Sequence, residues 1–480
     1  MNTLHQRRGP LHGAGAALVE RMTPRSLPRR ARPAYRRELA SWAFIPLMLG
    51  ALEGGTMSVV VQKAFAGAEG LSQAELNLAL AAVIAAPEFA NLTAFLWAGL
   101  ASGHRKVPFI AGLQLVACGL VAALALIPAT AAGLVALCIL YLVARSLWTG
   151  VITLRAVVWR GNYGKQDRAI VAGRMATVQS LVLACTGLLV GAAMDHDPRA
   201  FHVLFPLLGA AGLAGNAIYR RVRLRGEPRL LAGEREERAD RARSRASPMA
   251  IIEVLRRDRD YRSFMVWMFV FGLGNLLIAL PLTKAFAESS YSDGILVRTT
   301  IPLAVMPLAI PFWARLLAKR HVVEFRAIHC WTFVAAAALL VVASALGERW
   351  LFFLASVVMG VGFAGGSLAW NIGHSDFAPP DQDALYMSVH VTLNGVRGLL
   401  SPFIAVALWE WLAPRGLAPM VFVVCLAVNT VGAIGFVRLA TRVRARHARK
   451  AVAVAVAAAQ EPAAMPSMAA APADAAVSRP

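Results

Sequence analysis

The chain has 480 residues, of which 58% are hydrophobic and only 16% charged, with a mean hydropathy of +0.57. A soluble chain normally carries about a quarter charged residues, so this composition excludes an ordinary soluble domain. The formal charge of +22 at pH 7 would suggest nucleic acid in a soluble protein, but the distribution of the arginines gives a different answer.

Residues 1–39 are rich in Arg and Pro and read as a basic tail. Twelve apolar runs of membrane-crossing length follow, at 40–63, 76–101, 108–128, 132–153, 172–193, 201–219, 263–283, 296–314, 327–346, 351–371, 385–411 and 419–438. The first holds Glu53 near its middle. It is too long for a signal peptide despite Ala64-Phe65-Ala66, so it is read as a retained helix. The second carries Pro87 and Glu88, and a proline there frees a carbonyl and allows a kink. The fourth puts Tyr141, Arg145 and Trp148 on one face. The sixth run leads into a basic stretch, 220–262, whose Glu/Arg-rich middle predicts a surface helix. Asn275 lies in the seventh run and Asn371 ends the tenth. An acidic turn with Asp376, Asp381 and Asp383 then enters the eleventh run, where His390, Asn394 and Arg397 share a helical face. The chain ends in a basic segment and an Ala/Pro-rich tail, 441–480.

Basic residues crowd alternate connections, from Arg105 and Lys106 through Arg160 and Arg168 to Arg315, Lys319, Arg320 and Arg326. The other connections hold few, Lys63 and Arg298 among them. Positive connections stay inside, so both termini are expected in the cytoplasm, and the basic loops are expected to bind anionic lipid rather than nucleic acid. The five cysteines sit one to a span, which suggests neither a metal site nor a disulfide. No P-loop, GxSxG, HExxH or dinucleotide turn is present, so no enzyme, no cofactor and no ATP-driven pump is expected. The second half repeats landmarks of the first at a constant offset: Trp97, Ala98 and Leu100 match Trp313, Ala314 and Leu316, and Gln166-Asp167 matches Gln382-Asp383. This predicts parallel halves at 40–219 and 263–440, joined by the 220–262 linker.

The turn Gly99-x-x-x-Gly103-His104-Arg105-Lys106 resembles that after helix two in the major facilitator superfamily, Gly-x-x-x-Asp-Arg-x-Gly-Arg-Arg/Lys, without its aspartate. Arg145, followed by Gly150, is similar to the fourth-helix motif, with the glycine five rather than four positions on. The resemblance spans about residues 40–440. It implies an all-α membrane protein of two pseudo-symmetric six-helix bundles. Helices 1, 4, 7 and 10 would surround a cavity, with 2 against 11 and 5 against 8. Glu53 and Arg145 would then face the cavity, and Glu88 would meet Arg397 between the halves, two acids balancing two arginines as burial demands.

The expected activity is secondary transport of a small organic solute by alternating access, coupled to protons. Glu53, Glu88 and His390 are the candidate proton carriers. Tyr141, Arg145, Trp148, Asn275, Asn371, Asn394 and Arg397 are the candidate substrate contacts. Arg105, Arg160 and Arg168 would pair with Asp376, Asp381 and Asp383 in a cytoplasmic gate, unless those aspartates only favour the start of helix eleven. Three readings stay open: a proton-antiporting exporter of lipophilic cations using Glu53, an organic-anion or sugar-phosphate carrier using Arg145 and Arg397, and a non-transporting receptor or scaffold. A monomer in a bacterial inner membrane is expected.

Overall fold

The computed structural model describes residues 23–241, 248–379 and 382–460, all helix, turn or coil without a strand. Twelve helices in it are long and apolar enough to cross a membrane. In chain order they are α1 (Arg32–Ala64), α2 (Gln73–Leu92), α3 (Lys106–Leu126), α4 (Ala131–Asn162), α5 (Ile170–His196), α6 (Phe201–Tyr219), α7 (Arg259–Ala285), α8 (Tyr291–Leu317), α9 (Val322–Leu346), α10 (Arg349–Trp370), α11 (Leu385–Arg415) and α12 (Met420–Arg446). Short polar signals set their starts. Ser72 and Glu75 form a capping box on α2, Thr130 accepts from Gly133 N to open α4, and Asp258 caps α7 through Tyr261 N.

Several spans reach further than the apolar runs. α4 continues past residue 153 to Asn162, while α8 begins at Tyr291 and α9 at Val322. A run read from hydropathy stops near the first charge, but a helix continues through it when the side chain finds packing or a partner. Arg298 and Arg326, expected in connections, therefore lie inside α8 and α9.

The helices form two groups of six. In the first, α3 packs on α4 and α6, α2 on α4, and α1 on α5 and α6. In the second, α9 packs on α10 and α12, α7 on α11 and α12, and α8 on α10. The groups meet through α2 with α11 and through α5 with α8. Small residues bring these pairs close, as packing between helices in lipid requires. A Cβ on Gly187 or Gly191 of α5 would lie 2.7 Å from Thr300 Oγ1 or 2.9 Å from Ser292 Cα of α8. Gly395 and Gly398 of α11 similarly receive Leu92 and Glu88 of α2.

The bundles are fastened on the face opposite the start of α1 and the end of α12. Lys63 Nζ donates to the carbonyls of Ala287 and Ser289, and Asn77 donates to Glu410. Asp195 accepts from the backbone N–H groups of Tyr291 and Ser292 at the start of α8. Among the described residues, no hydrogen bond joins the two bundles on the face that carries the termini and the linker.

Candidate functional site

The site is built on a break in α1. Glu53-Gly54-Gly55 places two weak helix formers at mid-span, and the helix breaks there between Ile45–Ala51 and Gly54–Ala64, after an earlier interruption that ends Arg32–Trp42. Glu53 itself is extended, with φ −73° and ψ 125°. The break frees the Leu52 carbonyl, and non-helical backbone at membrane depth needs a partner. Two side chains of the predicted α4 stripe supply it: Tyr141 Oη donates at 2.9 Å and an Arg145 guanidinium nitrogen at 3.3 Å. Arg145 is thus seated beside Glu53 through a backbone oxygen, and no direct ion pair joins the two.

A second arginine reaches this place from the other bundle. Arg298 lies in a π-helical turn of α8, Leu296–Thr300. Gly55 fits against that turn, since a Cβ there would be 2.9 Å from the Arg298 carbonyl oxygen. The Arg298 side chain is within electrostatic reach of Glu53, and its Nε is buried without a hydrogen-bond partner. The sequence carried the signal, because the apolar run starting at 296 already contains this arginine.

The α11 face forms a second polar cluster. His390 is fully buried with neither ring nitrogen bonded, and Asn394 Nδ2 and Arg397 Nε are also unpartnered. Arg397 crosses to α7, lying over Gly272 and donating to the Met268 carbonyl at 2.7 Å. Glu88 packs on Gly398, accepts from Asn91 at 3.3 Å and acts on Arg397 only through space. Arg326, 4% exposed, joins from α9, 3.2 Å from His329 Nδ1. His329 Nε2 faces the Gly362 carbonyl at 2.7 Å, which assigns the proton to Nε2 and leaves Nδ1 to accept from the arginine. The charge of Arg326 reaches both His390 and Arg397. Asn275 contributes a buried, unpartnered Oδ1; the side chain of Asn371 lies outside the described residues.

Trp148 belongs to a packed wall, buried against Trp42. Arg155 stacks on Trp42 and Trp159 with its guanidinium carbon 4.0 and 4.7 Å from the ring centres. Buried Glu38, which no sequence pattern singled out, accepts from Trp159 Nε1 and, at 2.8 Å, from Tyr163 Oη. Tyr163 lies just beyond α4, and burial together with the Glu38 charge pushes its phenol pKa upward.

The proposed gate residues are occupied elsewhere in this conformation. Arg105 pairs with Glu227 at 3.1 Å. Lys106, 2% exposed, donates at 2.6 Å to Glu234 and to the Ala101 carbonyl. Glu234 also accepts from Gly103 N at 2.8 Å. Gly103 stands where the resembled motif has its aspartate, so the linker brings a carboxylate to a turn that lacks one. Asp376 accepts from Val322 N at 2.6 Å and caps α9 rather than α11. Arg160 is exposed, and Arg168 is half-buried with its Nε unpartnered. Asp381 and the side chain of Asp383 lie outside the described residues.

With this geometry in place, the sequence profile described as Major Facilitator Superfamily matches residues 42–402. The chain belongs to the major facilitator superfamily. No curated protein matches the sequence at a significant level. Among solved structures, this superfamily member is similar to a nucleoside transporter (TM-score 0.64, 12% identity, covering 84% of this chain and 99% of that one). It is also similar to a D-xylose-proton symporter (0.61, 14%, 83% and 97%) and to an auto-inhibited peptide transporter of the POT family (0.62, 15%, 85% and 97%). At these identities the likeness establishes the fold. With twelve helices of membrane-crossing length, the chain is a multi-pass membrane protein of this superfamily.

Proposed function

We propose that this protein carries a small organic anion across a bacterial inner membrane by alternating access, in company with a proton on Glu53. The observation that carries this reading is that Arg145, bonded to the Leu52 carbonyl beside Glu53, and Arg298, from the opposite bundle and within electrostatic reach of Glu53, come together at the α1 break. With Arg326 and Arg397 also inside the spans, and Arg155 near Glu38, five interior arginines among the described residues stand against Glu38, Glu53 and Glu88. A buried cation without a counter-charge is costly, and an anionic solute removes that cost. Glu53 and the solute compete for the same guanidinium groups, so the solute binds best when Glu53 is protonated. Proton and anion then travel in the same direction, as in symport, in place of the antiport that an exporter of cations requires.

Basic connections on the face where α1 begins and α12 ends support a cytoplasmic side there. The bundles are fastened on the other face, so the form described is inward-facing. The outward-facing form needs those contacts broken and the acidic 10–11 connection brought to Arg160 and Arg168.

The test is a thermal-stability screen of purified wild type, Glu53→Gln, Arg145→Ala and Arg298→Gln against organic anions, sugars and lipophilic cations. Ligand at a hundred times its Kd stabilises the folded state by about 2.7 kcal/mol. Anions should stabilise wild type and Glu53→Gln, with the wild-type effect fading as pH rises, and should fail with either arginine variant. Stabilisation by cations that disappears in Glu53→Gln would instead establish the exporter reading. Absence of any shift from any class would favour the non-transporting scaffold.

A further inference from the structure

A groove of ≈ 410 Å³ runs down the outside of the first bundle between α3 and α6. Its head is formed by Arg105, which caps the start of α3, and Arg220, which follows the end of α6. Its wall is Pro108, Ala111, Gly112 and Leu115, one face of α3 descending into the apolar span. The floor is open: a Cβ on Gly112 would meet nothing within 4 Å, and Leu115 is 55% exposed. Asn216 lines the same groove. Its Nδ2 is bound to the Ala111 carbonyl at 3.0 Å, and its buried Oδ1 has no partner. The head continues into a cleft of ≈ 690 Å³ that adds Arg37, Arg221 and Arg223, with Glu227 as its acid.

We infer that this groove is a binding site for a phospholipid with an anionic headgroup. The phosphate is held by Arg105 and Arg220, and an acyl chain lies along Ala111, Gly112 and Leu115. The argument is the joining of two features in one channel. Five arginines against one glutamate select a net negative head, because a zwitterionic lipid would bring its own cation among them. The apolar limb lies at the depth of the hydrocarbon, where a soluble phosphate has nothing to occupy. Lipid phosphate also competes with Glu227 for Arg105, since both would use the guanidinium that now makes the 3.1 Å pair.

The test uses the full-length protein purified in detergent and supplied with phosphatidylglycerol, phosphatidylcholine, glycerol phosphate or inorganic phosphate, with bound lipid read by native mass spectrometry. Phosphatidylglycerol should be retained over phosphatidylcholine. Loss of each arginine, as Arg105→Gln or Arg220→Gln, should weaken retention about fivefold. The deciding variant is Gly112→Leu, which fills the floor and leaves every arginine in place. Leucine is also the better helix former, so its lipid-free melting temperature checks that the fold persists. Retention should fall in Gly112→Leu as it does in the arginine variants. Undiminished retention in Gly112→Leu, equal retention of phosphatidylcholine, or displacement of the lipid by glycerol phosphate or inorganic phosphate at matched concentration would each overturn the proposal, the last pointing to a site for free phosphate.

Discussion

The contact between α5 and α8 makes a direct test of how the two bundles move. Gly187 and Gly191 are one turn apart on α5, and both press on the start of α8. A Cβ at Gly191 would lie 2.9 Å from Ser292 Cα and 3.1 Å from its Oγ, well inside the 3.4–4 Å of ordinary contact. The nearest atom is backbone, so no rotamer change relieves the overlap, and the helices must part by roughly half an ångström or more. Overpacking of this kind costs about 1–3 kcal/mol. That cost falls only on the conformation in which α5 and α8 touch on this face, so Gly191→Leu should shift the equilibrium away from it. A cost of about 2 kcal/mol corresponds to roughly a 30-fold change in the ratio of the two forms. Thr56 reports the change: it is 1% exposed, and its hydroxyl is 3.4 Å from that of Thr299 across the closed face. In a background without the native cysteines, Thr56→Cys should react with an impermeant maleimide applied from the side of the α1–α2 connection. Adding Gly191→Leu should speed that reaction at least tenfold. An unchanged rate in a variant that still melts cooperatively would mean that this contact does not separate during the cycle.

Two further predictions concern the face of the termini. Glu234→Gln leaves Lys106 buried without a counter-charge, and breaking such a pair costs up to about 3–5 kcal/mol, less here because Glu234 is 19% exposed. The linker should detach from the α2–α3 turn, so trypsin should cut within 220–262 faster than in wild type, and equal cutting rates would show that the clasp is idle. Tyr163→Phe removes the 2.8 Å hydrogen bond to buried Glu38 and should cost about 1.5–3 kcal/mol, read as a lower melting temperature. The Tyr163 pKa is raised in the folded protein, so its contribution is fully present below the ordinary tyrosine value of about 10 and is lost only as pH rises beyond it. The gap between wild type and Tyr163→Phe should therefore be constant across neutral pH and narrow in strong alkali.

The twelve spans were legible because crossing a bilayer as a helix demands about twenty apolar residues in a row, and that demand leaves its mark on the sequence. Their ends were not, because an arginine with a partner sits inside a helix as readily as beyond it. Arg155 found Trp42 and Trp159, and Arg326 found His329. Glu53 and Arg145 could be named from depth alone, but not the device that joins them. The Glu-Gly-Gly triplet breaks α1, and the freed Leu52 carbonyl then receives Arg145. Long-range contacts were out of reach altogether. Gly103 and Glu234 are 131 positions apart, and no local spacing ties a linker glutamate to the turn whose motif lacks its acid. The faint repeat between the halves likewise could not show that α5 carries a Gly-x-x-x-Gly seam with no glycine counterpart facing it on α8, where Ser292, Ile295 and Thr300 receive it.

Counting interior charge from the sequence gave two arginines and two glutamates, a balance that suits a structural role. Arg298, Arg326 and Arg155 lie in the spans as well, with Glu38 as one further acid, so the balance tips towards arginine. Glu53 and Arg145 ride on one bundle and Arg298 on the other, so any rocking of the bundles alters the separation of Glu53 from Arg298 more than its separation from Arg145. An ionised Glu53 attracts Arg298 and favours the arrangement that holds them near. On the proposed function, a protonated Glu53 would remove that attraction and leave both guanidinium groups to the anion. On that same function, a carboxylate within reach of arginines on both bundles would be sufficient, without any relay through His390, to tie proton binding to the movement of the bundles.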